Sequence, residues 1–315
     1  MSEKKLLATR AGYGQGLLDT GALHDDLVVL EGDLGAATGT TAFGKAYPDR
    51  YIEAGIAEQN EVGMASGLAA AGWKPFVTSF AIFTAGRACE IVRNAIAYNN
   101  MNVKLIGSHC GITPALDGGS HMCIEDIAWM KAIPGMVVLN PCDYNQTRLM
   151  VKKLYEYDGY AYMRTSREPV QCVTSMDDEI VIGKAQVLRE GKDLTIAATG
   201  IMTTFVMEVA ERLAEEGIEC NVLNYHTIKP FDEETLIKYV RETGNLLTVE
   251  EHNIYGGFTE SCRAALFTKA DNIRTDYVAV EDRFGETGTR LSLYPIFGLD
   301  NETIYNKAKN LLNKE

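Results

Sequence analysis

Glu58 is the acidic residue of this chain whose setting most invites a chemical role. It opens a segment, 57–72, in which glycine and alanine recur so often that the predicted helix has little side-chain bulk. Such a surface lets another backbone approach closely. An acid in the first turn of a helix also stabilises the helix through its dipole. The residue types alone therefore leave two interpretations, a helix-stabilising acid or a carboxylate that acts on a ligand.

A second pair of reactive side chains, Asp117 and His121, lies four residues apart around two glycines and a serine. This spacing predicts a turn that projects both side chains into a cleft. A carboxylate and an imidazole in that position could bind hydroxyl groups and move protons. The same two side chains could also serve only to hold the turn together.

The charge balance limits the classes of partner. The chain has 315 residues, with 43 acidic against 30 basic side chains and a net charge of -13. This balance argues against nucleic acid or a membrane surface as a partner. The start lacks a signal-like stretch and no apolar run approaches a membrane span, which predicts a cytoplasmic protein. Because the chain is acidic overall, an anionic substrate would have to be bound by basic residues at the site itself.

Short β-branched runs alternate with longer amphipathic stretches, the pattern of parallel sheets covered by helices. The predicted fold class is α/β, with two doubly wound domains and mostly parallel sheets. A proline and a charge cluster interrupt the alternation between residues 167 and 179, so we expect domains at 1–175 and 185–315. The predicted strands are 27–30, 75–78, 103–106, 136–139, 161–163, 194–198, 220–223 and 246–249, and the second domain also has predicted helices at 205–216 and 233–240.

Several short blocks, in order along the chain, resemble the carboxyl-terminal half of transketolases. The likeness covers nearly the whole chain and implies a thiamine diphosphate pyrimidine-binding domain followed by the transketolase C-terminal domain. The blocks are Thr9-Arg10, Gly32-Asp33-Leu34, Gly55 to Glu61, Thr78-Ser79-Phe80, Ser108-His109, Asp117 to His121, Asn140-Pro141-Cys142-Asp143, Ser166-Arg167, Ala198-Thr199-Gly200 and Val249-Glu250-Glu251-His252.

This resemblance implies a role for each residue around the cofactor. Glu58 would hydrogen-bond the pyrimidine ring of thiamine diphosphate and promote the tautomer that activates the cofactor. Phe80 and Phe83 would pack against that ring, and Asp33 would border the same pocket. As isolated residues, the two phenylalanines could equally belong to the core, and Asp33 could cap a turn.

The resemblance also implies a sugar site. Asp117 would bind a sugar hydroxyl, and His121 would bind hydroxyls beside the reacting carbons and act in catalysis. Arg10, His109 and Arg167 would hold the anionic end of the sugar, a task that suits the planar fork of arginine.

Four positions leave the sugar and cofactor sites open to more than one interpretation. Arg164 lies three residues before Arg167, so either could face the site, but the Ser-Arg pair favours Arg167. Leu116 and Met122 depart from the family's acidic residue and glutamine in the turn, which could mark an unusual donor. Gly86 stands where a third aromatic is expected.

The other half of a transketolase holds Mg2+ in a diphosphate-binding domain that begins Gly-Asp-Gly. Here Leu34 replaces the second glycine, and no set of oxygen ligands suited to Mg2+ is visible. The resemblance therefore implies a split transketolase, in which an N-terminal transketolase subunit supplies the diphosphate-binding domain and the Mg2+ ligands. We expect an α2β2 assembly that is active only with that partner.

The implied reaction moves a two-carbon ketol unit from a phosphate- or sulfonate-bearing ketose to an aldose. Two alternatives within enzymes are a deoxyxylulose-phosphate synthase-like subunit and a 2-oxo acid dehydrogenase β-like subunit, both of which predict pyruvate-like donors. An alternative of another class is a noncatalytic assembly subunit.

Overall fold

Three β-sheets organise residues 6–269 and 272–313, the part of the chain that the computed structural model describes. The strands are β1 (Leu6–Ala8), β2 (Leu27–Glu31), β3 (Tyr51–Glu53), β4 (Lys74–Phe80), β5 (Lys104–Ser108), β6 (Val137–Leu139), β7 (Ala161–Arg164), β8 (Pro169–Gln171), β9 (Gln186–Arg189), β10 (Leu194–Ala198), β11 (Cys220–Asn224), β12 (Thr227–Lys229), β13 (Asn245–Asn253) and β14 (Arg274–Val280).

Helices cover the sheets and connect successive strands. They are α1 (Thr9–Gly21), α2 (Gly35–Thr38), α3 (Thr41–Ala46), α4 (Glu58–Ala70), α5 (Cys89–Ile91), α6 (Asp126–Ala132), α7 (Tyr144–Glu156), α8 (Met202–Glu215), α9 (Glu233–Thr243), α10 (Phe258–Lys269), α11 (Arg290–Ile296) and α12 (Asn301–Asn313). Two π-helical turns, Ile82–Arg87 and Val92–Ala97, flank α5, and Pro48–Arg50 and Ala115–Asp117 form 3-10 turns.

The first sheet has the order β12-β6-β7-β5-β4-β2-β3, and its strands are parallel except for β12. Its central strands are buried, as expected where helices cover both faces of a parallel sheet. Their carboxyl ends meet at one edge, because Phe80 pairs with Ser108 and Gly107 pairs with Arg164. Open α/β sheets bind ligands at this edge.

The second sheet has the order β14-β13-β10-β11-β9, with β9 antiparallel to its neighbour and the other pairs parallel. The predicted α/β class with two mostly parallel sheets is thus confirmed. Each predicted strand overlaps an observed one, and the predicted helix at 233–240 is observed as Glu233–Thr243. Within the described residues, no helix has both the length and the apolar character needed to cross a membrane.

One strand crosses the predicted boundary between the domains. The strand β12 lies in the second domain by sequence, but Thr227 pairs with Leu139 in the first sheet. The largest buried apolar cluster also runs through both domains, since it joins Val28 and Val77 to Tyr225 and Phe258. The two domains therefore share a sheet and a core.

Candidate active site

Glu58 is the first residue of α4, and only 3% of its surface is exposed. Its Oε2 lies 3.2 Å from Nη1 of Arg87, the last residue of the π-helical turn Ile82–Arg87. The Ala88 N–H donates to the carbonyl of Phe83, five residues earlier, at 3.1 Å. Such turns add one residue to a helix and often occur at functional sites. The turn gives Glu58 a cationic neighbour that sequence reasoning did not identify.

Four rings gather next to this ion pair. Phe80, at the end of β4, stacks on His109 with centroids 4.1 Å apart and lies parallel to Phe83 at 6.1 Å. The ring of His121 meets both phenylalanines edge-on, at 6.2 and 5.7 Å. The Arg87 guanidinium lies 5.7 Å from the Phe83 ring. Because Arg87 also pairs with Glu58, it connects the rings to this carboxyl group. The fold thus brings together the predicted aromatic and histidine residues.

Gly86 has an indole ring beside it. A Cβ added at Gly86 would lie 2.9 Å from Cζ3 of Trp129 in α6. Trp129 also packs against the small buried cluster formed by Ala81, Cys110 and Cys123. An aromatic side chain from another helix therefore lies beside the position where the sequence led us to expect one.

The predicted anion-binding residues lie close together at the end of β5. Arg10 donates from Nη1 to the Ala37 carbonyl at 2.5 Å, and the same nitrogen lies 3.4 Å from Nε2 of His109. Burial, together with the charges of Arg10 and Arg167, lowers the pKa of His109 to about 3. His109 is therefore neutral at physiological pH. Its backbone has a φ of +57°, a conformation that non-glycine residues adopt at a cost.

Arg167 and Asp117 join this group. Arg167 donates from Nη1 to Oδ2 of Asp117 at 3.3 Å. Arg164, in contrast, is 1% exposed and donates from Nε to Oδ2 of the buried Asp126 at 2.8 Å. The Arg164 side chain is thus buried and paired with Asp126, whereas Arg167 lies near Arg10 and His109.

Asp33 follows β2 at the same edge of the sheet, in a left-handed conformation with a φ of +62°. Its backbone N–H donates to Oε1 of Glu53 at 2.7 Å, and its side chain is exposed. Among the described residues, the side chain of Asp33 makes no hydrogen bond or ion pair with the ring cluster. The described part of the chain also contains no group of three or more histidine, cysteine or acidic side chains that could hold a metal ion.

Sequence reasoning missed a buried acid one helical turn beyond Glu58. Glu61 is fully buried; its Oε1 accepts the Thr78 N–H at 3.2 Å, while Oε2 is without a hydrogen-bond partner in the described structure. Burial, followed by the charges of Glu31 and Glu58, raises the pKa of Glu61 to about 9. A Cβ at Gly32 would lie 3.3 Å from Oε2, so this glycine leaves room for the carboxyl group. The i, i+3 spacing of two glutamates on a helix was the available signal.

Comparison with known proteins identifies two family domains in this chain. The transketolase pyrimidine binding domain matches residues 5–171, and the transketolase C-terminal domain matches residues 183–304. The 6-deoxy-6-sulfo-D-fructose transketolase subunit SqwH of Clostridium sp. (strain MSTE9) is 40% identical over 97% of this chain and 95% of that protein. One of the subunits of the apulose-4-phosphate transketolase of Phocaeicola vulgatus is 35% identical over 98% of this chain and 99% of that protein.

A solved structure has the same fold over nearly all of the chain. It is described as a split gene transketolase in an inactive β4 tetramer, and it is 40% identical to this chain. The two superpose with a TM-score of 0.88, covering 97% of this chain and 98% of the other.

Proposed function

Because this chain belongs to the transketolase family, as a subunit of the split type, we propose that it activates thiamine diphosphate and binds the sugar during ketol transfer. The transferred unit has two carbons and passes from a ketose to an aldose. The observation that carries this proposal is the convergence of buried Glu58 with the rings of Phe80, Phe83, His109 and His121 at the carboxyl edge of one sheet.

The residues of this cluster fit the pyrimidine half of the cofactor. A buried carboxylate can accept a hydrogen bond from a protonated ring nitrogen, and aromatic faces can cover a flat ring. Glu58 would hold the proton at that nitrogen, Phe80 and Phe83 would pack on the ring, and Asp33 would border the pocket. Thiamine diphosphate supplies the carbanion chemistry when it is bound.

The polar residues beside the rings fit a sugar with an anionic end. Asp117 would bind a hydroxyl, while His121 would bind hydroxyls near the reacting carbons and move a proton there. Arg10 and Arg167 would hold the anion, and His109, which is neutral, would contribute a hydrogen bond. Relatives that are named after a sulfonated ketose and after a sugar phosphate support a donor with either anion.

The proposed activity depends on a second polypeptide. We expect an N-terminal subunit to supply the diphosphate-binding domain and the Mg2+ ligands, and the assembly to be α2β2. The related tetramer of a single kind of chain, which is described as inactive, supports this dependence. A cytoplasmic location remains a prediction from the sequence.

Reconstitution tests the proposal. The chain is purified alone and with a subunit that carries the Gly-Asp-Gly domain, and both samples are assayed for thiamine diphosphate binding and for ketol transfer from a ketose to an aldose. We expect both properties only in the mixture, and a mass that corresponds to α2β2 in light scattering. Robust transfer by the chain alone contradicts the split enzyme. Turnover with pyruvate instead of a ketose would point to a synthase or dehydrogenase subunit.

A further inference from the structure

The second domain sends a short segment to the turn that carries Asp117 and His121. We call residues 284–290, which follow β14 and end at the first residue of α11, the bracing segment, and residues 115–122 the substrate turn. The two lie in direct contact where glycine residues of each segment face atoms of the other.

Three of these glycines leave no room for a methyl group. A Cβ on Gly119 would lie 2.4 Å from the carbonyl oxygen of Gly285. A Cβ on Gly285 would lie 2.2 Å from Sδ of Met122, and one on Gly118 would lie 2.5 Å from Oγ1 of Thr287. The Gly119 contact is with backbone and therefore requires glycine, whereas a methyl group on Gly285 or Gly118 would force the side chain of Met122 or Thr287 to shift.

The substrate turn has a backbone that needs such support. Ala115 has a φ of +56°, although it is not glycine, and Gly118 has a φ of +80°. The carbonyl of Ala115 accepts a long hydrogen bond of 3.5 Å from the N–H of Gly288 in the bracing segment. Residues in sparsely populated conformations persist when their surroundings hold them there. The second domain provides those surroundings.

The bracing segment also reaches the residue next to Arg167. Arg290 donates from Nη1 to Oε1 of Glu168 at 2.8 Å, and its guanidinium lies 5.5 Å from the ring of Phe205 and 5.7 Å from that of Tyr294. The same short segment therefore touches both the turn with Asp117 and the strand exit with Arg167.

The bracing segment is itself fixed to the second domain at its two ends. Arg283 forms an ion pair with Glu286 and lies 4.4 Å from the ring of Phe297. Thr289 caps α11 by accepting the N–H of Ser292 at 3.4 Å. The contact with Phe297 and the cap of α11 therefore join the two ends of the segment to the second domain.

We propose that the bracing segment positions the substrate turn and Arg167, so that the second domain helps to set the affinity for the donor sugar. This inference rests on the proposed ketol transfer. Gly285 and Arg290 are positioning residues, because they act through Met122 and Glu168 and thereby through the sugar-binding side chains.

The test uses the reconstituted complex and the donor that the wild type uses best among xylulose 5-phosphate, fructose 6-phosphate and 6-deoxy-6-sulfofructose. Gly285→Ala should raise the KM for this donor roughly tenfold, since misplacing a positioning element by an ångström can cost about 100-fold. The affinity for thiamine diphosphate should not change. Adding Met122→Ala makes room for the new methyl group and should restore the KM. Phe267→Ala, which removes a side chain on α10 that is 91% exposed and lies outside both segments, is the control and should leave the KM unchanged.

A second variant covers the case in which Gly285→Ala does not fold. Arg290→Gln removes the ion pair with Glu168 and should raise the KM for the anionic donor while leaving that for erythrulose, an uncharged ketose, unchanged. An active wild-type complex whose donor KM moves in neither variant overturns this inference alone. A wild-type complex that transfers no ketol unit overturns the proposed function and the inference together.

Discussion

Nη1 of Arg87 lies 3.2 Å from Oε2 of Glu58, so a cation from a π-helical turn fixes one oxygen of the buried acid at the start of α4. The side chain of Arg87 is 55% exposed, while that of Glu58 is 3% exposed. The pair therefore joins the interior of the cluster to its open side. It orients the carboxyl group on which the proposed cofactor activation depends.

Glu58→Gln should lower ketol-transfer turnover in the reconstituted complex by about 10²- to 10⁴-fold, because an amide cannot exchange a proton with the pyrimidine ring. Subunit assembly, measured by size-exclusion chromatography, should be unchanged. Glu90→Gln is the matched control, since Glu90 is an exposed glutamate on α5. Wild-type turnover in Glu58→Gln would refute the assignment and favour a noncatalytic subunit.

Arg87→Gln should lower turnover to a smaller extent, because it leaves the carboxyl group of Glu58 in place but removes the cation that orients it. In the Glu58→Gln background, Arg87→Gln should have little further effect, since residues that act as a unit are not additive. The check is a double-mutant cycle on kcat. Two independent losses that multiply would show that Arg87 acts elsewhere.

Arg167→Ala should raise the KM for a phosphorylated or sulfonated donor more than the KM for erythrulose. The reason is that the guanidinium would contact the anion, whereas an uncharged ketose has no group for it. Arg212→Ala serves as control, because Arg212 is a partly exposed arginine that pairs with Glu302 in the second domain. Equal changes for charged and uncharged donors would indicate that Arg167 has a structural role.

Glu61→Gln should stabilise the chain relative to the wild type at alkaline pH. The pKa of Glu61 is raised from 4.5 to about 9, so its proton stabilises the fold, and stability falls as the pH rises between those values. The limit for one proton is about 1.4 kcal/mol per pH unit. Glutamine can still accept the Thr78 N–H but does not ionise. Urea unfolding at pH 5, 6, 7 and 8 should show a growing difference; a constant difference would contradict a protonated Glu61.

Arg164→Met should destabilise the chain by about 3–5 kcal/mol, because it leaves the buried carboxylate of Asp126 without its cation. Denaturant unfolding of the isolated chain measures this loss. Arg167→Ala, at a partly exposed site, should change the free energy of unfolding by about 0.5 kcal/mol or less. Similar losses in both variants would contradict the separate roles that we give to the two arginines.

The sequence was sufficient for the long, strongly patterned elements. Buried β-branched runs such as 194–198 appear as strands with the predicted bounds, because hydrophobic pattern and local preference agree there. The strand β12 could not be predicted, since Thr227–Lys229 has three residues and gains its partner only through tertiary pairing. The blocks that resemble transketolases correctly indicated the family, which periodicity alone could not have done.

Within the candidate site, the predicted rings and basic side chains come together, whereas the further residues that contact them could not be predicted from the sequence. Arg87 meets Glu58 from the last position of a π-helical turn, and no spacing rule signals such a turn. Trp129 reaches Gly86 from α6, forty-three positions along the chain. The partnerless oxygen of Glu61 depends on burial by several elements. Contacts of this kind are set by tertiary packing and not by local sequence.

The antiparallel edge strand β12 also constrains how this gene can be rearranged. The strand Thr227–Lys229 pairs with Val137–Leu139. A gene fission or domain exchange near residue 180 would therefore remove β12 from the edge of the sheet that positions Glu58, Phe80 and His109. The uncovered strand would then present an open edge prone to self-association. We therefore expect the two domains to stay together when the gene recombines, even though the alternation of strands and helices is interrupted between them in the sequence.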